Sequence, residues 1–151
     1  MTVSPFDVKT VLLARHAQHV VLIHFPIALF TAAVAFDFLA QWTKNRGLAA
    51  AVYFNLLVAA LFTIPVLLTG VAAWQWALEG QELKGILRMH LLLGCLSSVF
   101  IWIAFWIHLR ARRKPFEPLP NYRLPLEAIA LALVTLTGHL GGFLSGVNTP
   151  G

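Results

Sequence analysis

Three histidines fall where an apolar helix least tolerates a polar group. His24, His90 and His139 each lie inside or at the edge of a long hydrophobic run. Ionisable groups in such runs are expensive and are therefore functional candidates by default. Neutral imidazole is a good axial ligand for haem iron and a common ligand for zinc or copper. Two of the three could hold one haem b between facing helices while the third meets a propionate or a water, or all three could bind a single copper or zinc ion. The plainer alternative leaves each imidazole near an interface, bonded to water, headgroups or helix-end carbonyls. His19 lies five residues before His24 and can approach the same pocket. The chain has no HExxH, no phosphate-cradling glycine loop and no compelling Ser/His/acid set, so an electron-transfer or accessory role is expected ahead of an enzyme in its own right.

Helical phase, at about 100° per residue, sets the faces of these side chains. His24 shares a face with Ala28, Thr31 and Ala35; His90 with Gly94, Ser97 and Ala104; His139 with Thr135, Ala132 and Ala128. Small residues line the seams where membrane helices pack, so all three imidazoles are expected to point inward. Asp37 lies on a different face of the first run, where pairing with Lys44 or Arg46 is favoured over a place in a proton path. His108 is eighteen residues beyond His90, roughly 27 Å along a helix, and reads as an interfacial residue beside Arg110. Glu127 is accounted for by a helix N-terminus.

The elements that must position these groups follow from composition. Of 151 residues, 59% are hydrophobic and 11% charged, against about 25% charged in ordinary soluble domains, and the mean hydropathy is +0.78. With about 20 apolar residues needed per crossing, the runs predict spans near 20–42, 48–75, 87–109 and 125–145. The expected fold is all-α: one integral membrane four-helix bundle over residues 1–151, in up-down order. Lys9, Arg15 and Ala33-Val34-Ala35 give the first run some look of a signal peptide, but its continuation to Trp42 suits a retained span. Pro65 should bend the second span, and Pro115, Pro118 and Pro120 forbid helix in the third loop. Trp42, Trp74, Trp76 and Trp106 lie near span ends, as interfacial belts do. Cys95 is the only cysteine and leaves no intrachain disulfide.

The net charge of +5 would suggest nucleic acid in a soluble chain, yet here the basic residues lie between apolar runs, where topology explains them and no nucleic-acid partner is implied. Lys44, Arg46, Arg110, Arg112, Arg113, Lys114 and Arg123 share one side. Lys9, Arg15, Lys84 and Arg88 share the other with Asp7, Glu79 and Glu82. The excess of Lys and Arg puts the first side in the cytoplasm and both termini outside, on the non-cytoplasmic side. That orientation brings His24, His90 and His139 to one exterior leaflet.

The stretch His19-Val-Val-Leu-Ile-His24-Phe25-Pro26-Ile27-Ala28-Leu29, followed by Asp37, and the closing Gly138-His139-Leu140-Gly141-Gly142 resemble a bacterial membrane family catalogued as a domain of unknown function. With Gly70 and His90 between them, the likeness covers nearly the whole chain. The resemblance implies a four-helix membrane domain with His24, His90 and His139 at the motif histidines, and some relatives are joined to cytochrome c-like domains. The chain departs from the pattern at Val20, where proline is usual, and near Ala72 and Ala73, where an aspartate often precedes tryptophan. The expectation is an electron-transfer subunit of the bacterial inner membrane that binds haem b through two of the three histidines. Its partners would be the lipid bilayer, a quinone or larger redox complex, and a cytochrome c-like carrier. The alternatives are a cofactor-free accessory subunit of a respiratory or photosynthetic complex and a tri-histidine metal protein.

Overall fold

The computed structural model describes residues 17–114 and 119–146. Lys9, Arg15, Asp7, Pro115 and Pro118, used in the reading of orientation and loops, lie outside them. Four helices make up the described architecture: α1 (Ala17–Thr43), α2 (Arg46–Ala77), α3 (Gly85–Arg113) and α4 (Arg123–Leu144). No strand occurs among the described residues. Each helix extends past its expected span by up to a few residues, except that α4 ends at Leu144, because the polar end residues continue the helical hydrogen bonding beyond the apolar run.

Each helix is long and apolar enough to cross a membrane, yet only 22%, 28%, 22% and 17% of their most apolar windows is buried. Most of the apolar surface therefore faces outward, an arrangement suited to lipid and unsuited to water. What is buried is a narrow seam: Phe30, Ala33 and Val34 of α1, Val52, Leu56, Ala59 and Ala60 of α2, Ile101, Ala104 and Phe105 of α3, and Ala130 and Val134 of α4. The five alanines in that seam, Ala33, Ala59, Ala60, Ala104 and Ala130, allow close approach of helix backbones.

The first connection is shorter than its sequence suggests. Lys44 takes a left-handed conformation (φ 55°), and Asn45 caps α2 by accepting hydrogen bonds from the amides of Gly47 at 2.8 Å and Leu48 at 3.3 Å. Two residues thus reverse the chain, and α1 lies along α2 as a tight hairpin. The second turn is pinned by the Trp74 indole, which donates to the Gln81 carbonyl at 2.8 Å. A belt residue thereby acquires a structural partner. Pro65 and Pro26 both lie within continuous helices, α2 and α1 respectively. The side chain of Thr69 donates to the Pro65 carbonyl at 2.7 Å.

Candidate functional sites at the two ends of the bundle

Two polar clusters occupy opposite ends of the bundle. The first joins the starts of α1 and α3 to the ends of α2 and α4. His19 Nδ1 lies 3.1 Å from the Val66 carbonyl oxygen and 3.3 Å from Thr69 Oγ1. His90 Nδ1 lies 3.0 Å from the Thr137 carbonyl oxygen. A carbonyl only accepts, so each Nδ1 carries a proton. The two half-buried rings neighbour each other, with centres 6.4 Å apart and planes at 89°.

Two glycines make room for them. A Cβ at Gly70 would lie 3.0 Å from His19 Cε1, and one at Gly141 would lie 3.1 Å from His90 Cε1. Each imidazole rests against the bare backbone of a neighbouring helix, and any larger residue must displace it.

The other two expected histidines face differently from the reading by phase. His24 is exposed and bonds only its own helix among its described hydrogen bonds, Nδ1 donating to the Val20 carbonyl at 2.7 Å. His139 is also exposed, with its ring edge against Phe143 at 5.0 Å. Their whole stripes go with them: Ala28, Thr31 and Ala35 on α1, and Ala128, Ala132 and Thr135 on α4, are all exposed. Small residues allow a face to be a seam but do not decide which side of the helix is one. The face of His90 is inward as expected, with Ser97 and Ala104 buried and Ser97 bonded to Thr137 of α4 at 3.2 Å. The structure therefore brings His90 beside His19, while His24 and His139 are exposed.

The second cluster joins the ends of α1 and α3 to the start of α4. Asp37, His108, Arg123 and Glu127 are 2%, 6%, 3% and 1% exposed. Arg123 Nε donates to Asp37 Oδ2 at 2.7 Å, and its Nη2 donates to Gln41 Oε1 at 2.8 Å and to Asp37 Oδ1 at 3.5 Å. His108 Nε2 lies 3.0 Å from Glu127 Oε1 and 3.8 Å from Asp37 Oδ2. Glu127 Oε2 is buried and accepts no hydrogen bond among the described residues. A cavity of about 420 Å³ reaches this cluster, lined by Asp37 and His108 together with Tyr53, Ala49, Ala111 and Arg112. The Arg112 guanidinium is held 4.4 Å over the Tyr53 ring.

This geometry corrects three expectations. Asp37 pairs with Arg123 rather than Lys44 or Arg46, because α4 returns its first turn against α1. His108 is a buried partner of Glu127 rather than an interfacial residue, and Glu127 points into the bundle rather than merely favouring a helix start. The signal was present in the spacing of Arg123 and Glu127, which at four residues share one helical face. That face begins on the same side of the membrane as the ends of α1 and α3, so all four ionisable groups were bound to meet if they turned inward.

A chain with four apolar helices around two polar clusters is a multi-pass α-helical membrane protein. It belongs to the family described as predicted membrane protein, domain of unknown function 2231, which matches residues 15–148. No curated protein and no solved structure matches the chain.

Proposed function

We propose that the protein is a b-type haem-binding electron-transfer subunit whose axial ligands are His19 and His90. The observation that carries this reading is the spacing of the imidazole pair. Metal–imidazole bonds of about 2.0 Å on both sides of one ion, with each ring centre about 1.1 Å behind its nitrogen, put the centres about 6.2 Å apart. The separation found is 6.4 Å. Both Nδ1 atoms are held by backbone carbonyls, the arrangement that fixes the tautomer of a metal-binding histidine.

The donor set also favours haem over a bare ion. Two imidazoles are half a set for zinc or copper, which take about four ligands. They are a full axial set for an iron whose four equatorial nitrogens come with the porphyrin, which supplies a one-electron carrier. This pair differs from any drawn from His24, His90 and His139, since His19 takes the place beside His90. With the basic α1–α2 and α3–α4 loops in the cytoplasm, the bundle runs up and down with both termini outside, and the pair sits in the exterior leaflet of a bacterial inner membrane. A quinone or membrane complex would supply electrons there, and a cytochrome c-like carrier would take them.

Purified protein should show a Soret band and a sharp α-band in reduced-minus-oxidised spectra. His19→Ala and His90→Ala should each abolish the low-spin signature. Protein from haem-sufficient cells that carries no iron and no Soret band excludes the reading. A cofactor-free accessory subunit is the second reading, and the outward stripes Ala28–Thr31–Ala35 and Ala128–Ala132–Thr135 favour it, since such faces admit a foreign helix closely. Under that reading the same preparations are colourless and the chain migrates in a larger complex on native gels.

A further inference from the structure

The buried cluster at the other end has no part in the haem reading, and its composition is unusual for an inert ion pair. Two carboxylates face one guanidinium. With a neutral imidazole, one negative charge remains uncompensated among side chains that are almost wholly buried, where an unpaired charge is costly. Glu127 Oε2 adds a second unmet demand, because it is buried and has no hydrogen-bond donor among the described residues. An oxygen in that position calls for a proton donor or a cation.

We propose that Asp37, His108 and Glu127 bind one divalent transition-metal ion, of the zinc, manganese or ferrous class. Each residue offers one ligand atom, and the three atoms lie within 4.8 Å of one another. Ligand atoms at about 2.0–2.2 Å from one ion are roughly 3–3.5 Å apart. The His108 Nε2 to Glu127 Oε1 distance of 3.0 Å and the His108 Nε2 to Asp37 Oδ2 distance of 3.8 Å are already close to that. Small side-chain rotations complete the set. The imidazole selects against magnesium and calcium, which take oxygen ligands, and in favour of the 3d metals.

Arg123 acts as a positioning residue. Its bonds to Asp37 and Gln41 fix the carboxylate plane, and its charge keeps the two acids from repelling one another before the ion enters. Three protein ligands leave a fourth position, and the 420 Å³ cavity touches both Asp37 and His108, so water or a further small ligand reaches the ion from that side. Arg112 also lines the cavity, with its guanidinium 4.4 Å over the Tyr53 ring.

The test uses full-length protein in detergent, stripped by a chelator and titrated with Zn²⁺, Mn²⁺ and Mg²⁺ against a metal indicator. Wild type should take up one Zn²⁺ or Mn²⁺ in preference to Mg²⁺, and Co²⁺ should give the d–d bands of a site with a nitrogen ligand. Glu127→Gln keeps the side-chain size and should lower affinity at least about tenfold. Arg123→Lys should lower it by about 10–100-fold while the protein stays folded by circular dichroism. His90→Ala should bind the ion like wild type, which separates this site from the proposed haem site. Bound metal should raise the melting temperature of wild type and not of Glu127→Gln. No uptake by folded wild type, or equal uptake by Glu127→Gln, overturns the proposal.

Discussion

The imidazole pair and the ionisable quartet lie in the same bundle, each joining α1, α3 and α4, and they are held in opposite ways. His19 and His90 take their orientation from main-chain carbonyls on α2 and α4. Each ring is anchored separately and half-buried, with the two centres 6.4 Å apart. Asp37, His108, Arg123 and Glu127 take their orientation from one another and are almost wholly buried. A pair anchored to backbone can lose one member without unsettling the other. A quartet built of side chains fails together, because each residue is the solvation of the next.

That contrast predicts its largest effect at Arg123. Replacing it by Met keeps the length but leaves Asp37 buried without its guanidinium, and Gln41 without a donor. Removing one partner of a buried ion pair costs about 3–5 kcal/mol. Unfolding in mixed micelles should show a loss of that size, and adding Asp37→Asn to Arg123→Met should restore part of it. Equal and additive losses would show that the two residues act separately and break the contrast. His19→Ala and His90→Ala should each cost only about 0.5–1.5 kcal/mol, the net worth of one hydrogen bond, while removing any haem signature.

A finer test lies at the glycines. Gly141→Ala places a Cβ 3.1 Å from His90 Cε1, and Gly70→Ala places one 3.0 Å from His19 Cε1. Each imidazole is the end of a side chain able to move by a few tenths of an ångström, and alanine itself favours helix over glycine by up to about 1 kcal/mol. Stability should therefore change by less than about 1 kcal/mol, whereas the geometry of the imidazole pair changes. Under the haem reading, the low-spin spectrum or the midpoint potential should shift in both variants. Unchanged spectra in both would mean that the close packing of ring on glycine does not set the ligand geometry.

The four long apolar helices were legible because length and apolarity dictate them, and their bounds lie within a few residues of the apolar runs, the largest shift being four at the end of α3. The clusters were legible only in part. The sequence shows which end of the bundle each ionisable residue occupies, since that depends on counting along a helix. Which side of the helix faces inward depends on where the neighbouring helices sit. The stripes of His24 and His139 are as rich in small residues as that of His90, yet they face outward. For Asp37 the partner came from the other end of the chain, 86 residues away, while nearer lysine and arginine side chains offered a shorter path. Proximity in sequence is a poor guide once helices return to the same side.

The smallest expected effect is the one that separates the two sets of histidines. His24 and His139 are exposed on the outer faces of α1 and α4. His24 spends its Nδ1 proton on its own helix, so removing the ring withdraws no bond between helices. His24→Ala and His139→Ala should leave any haem spectrum unchanged and alter unfolding by no more than about 0.5 kcal/mol, as outward substitutions usually do. The measurement is decisive because both residues lie in the segments that carry the family resemblance, whereas His90→Ala touches a ring beside His19. Loss of the spectrum in His24→Ala but not in His19→Ala would move the site to the outer face of α1. The ligand would then lie between this chain and a neighbour, and the outward stripes of small residues would become its wall.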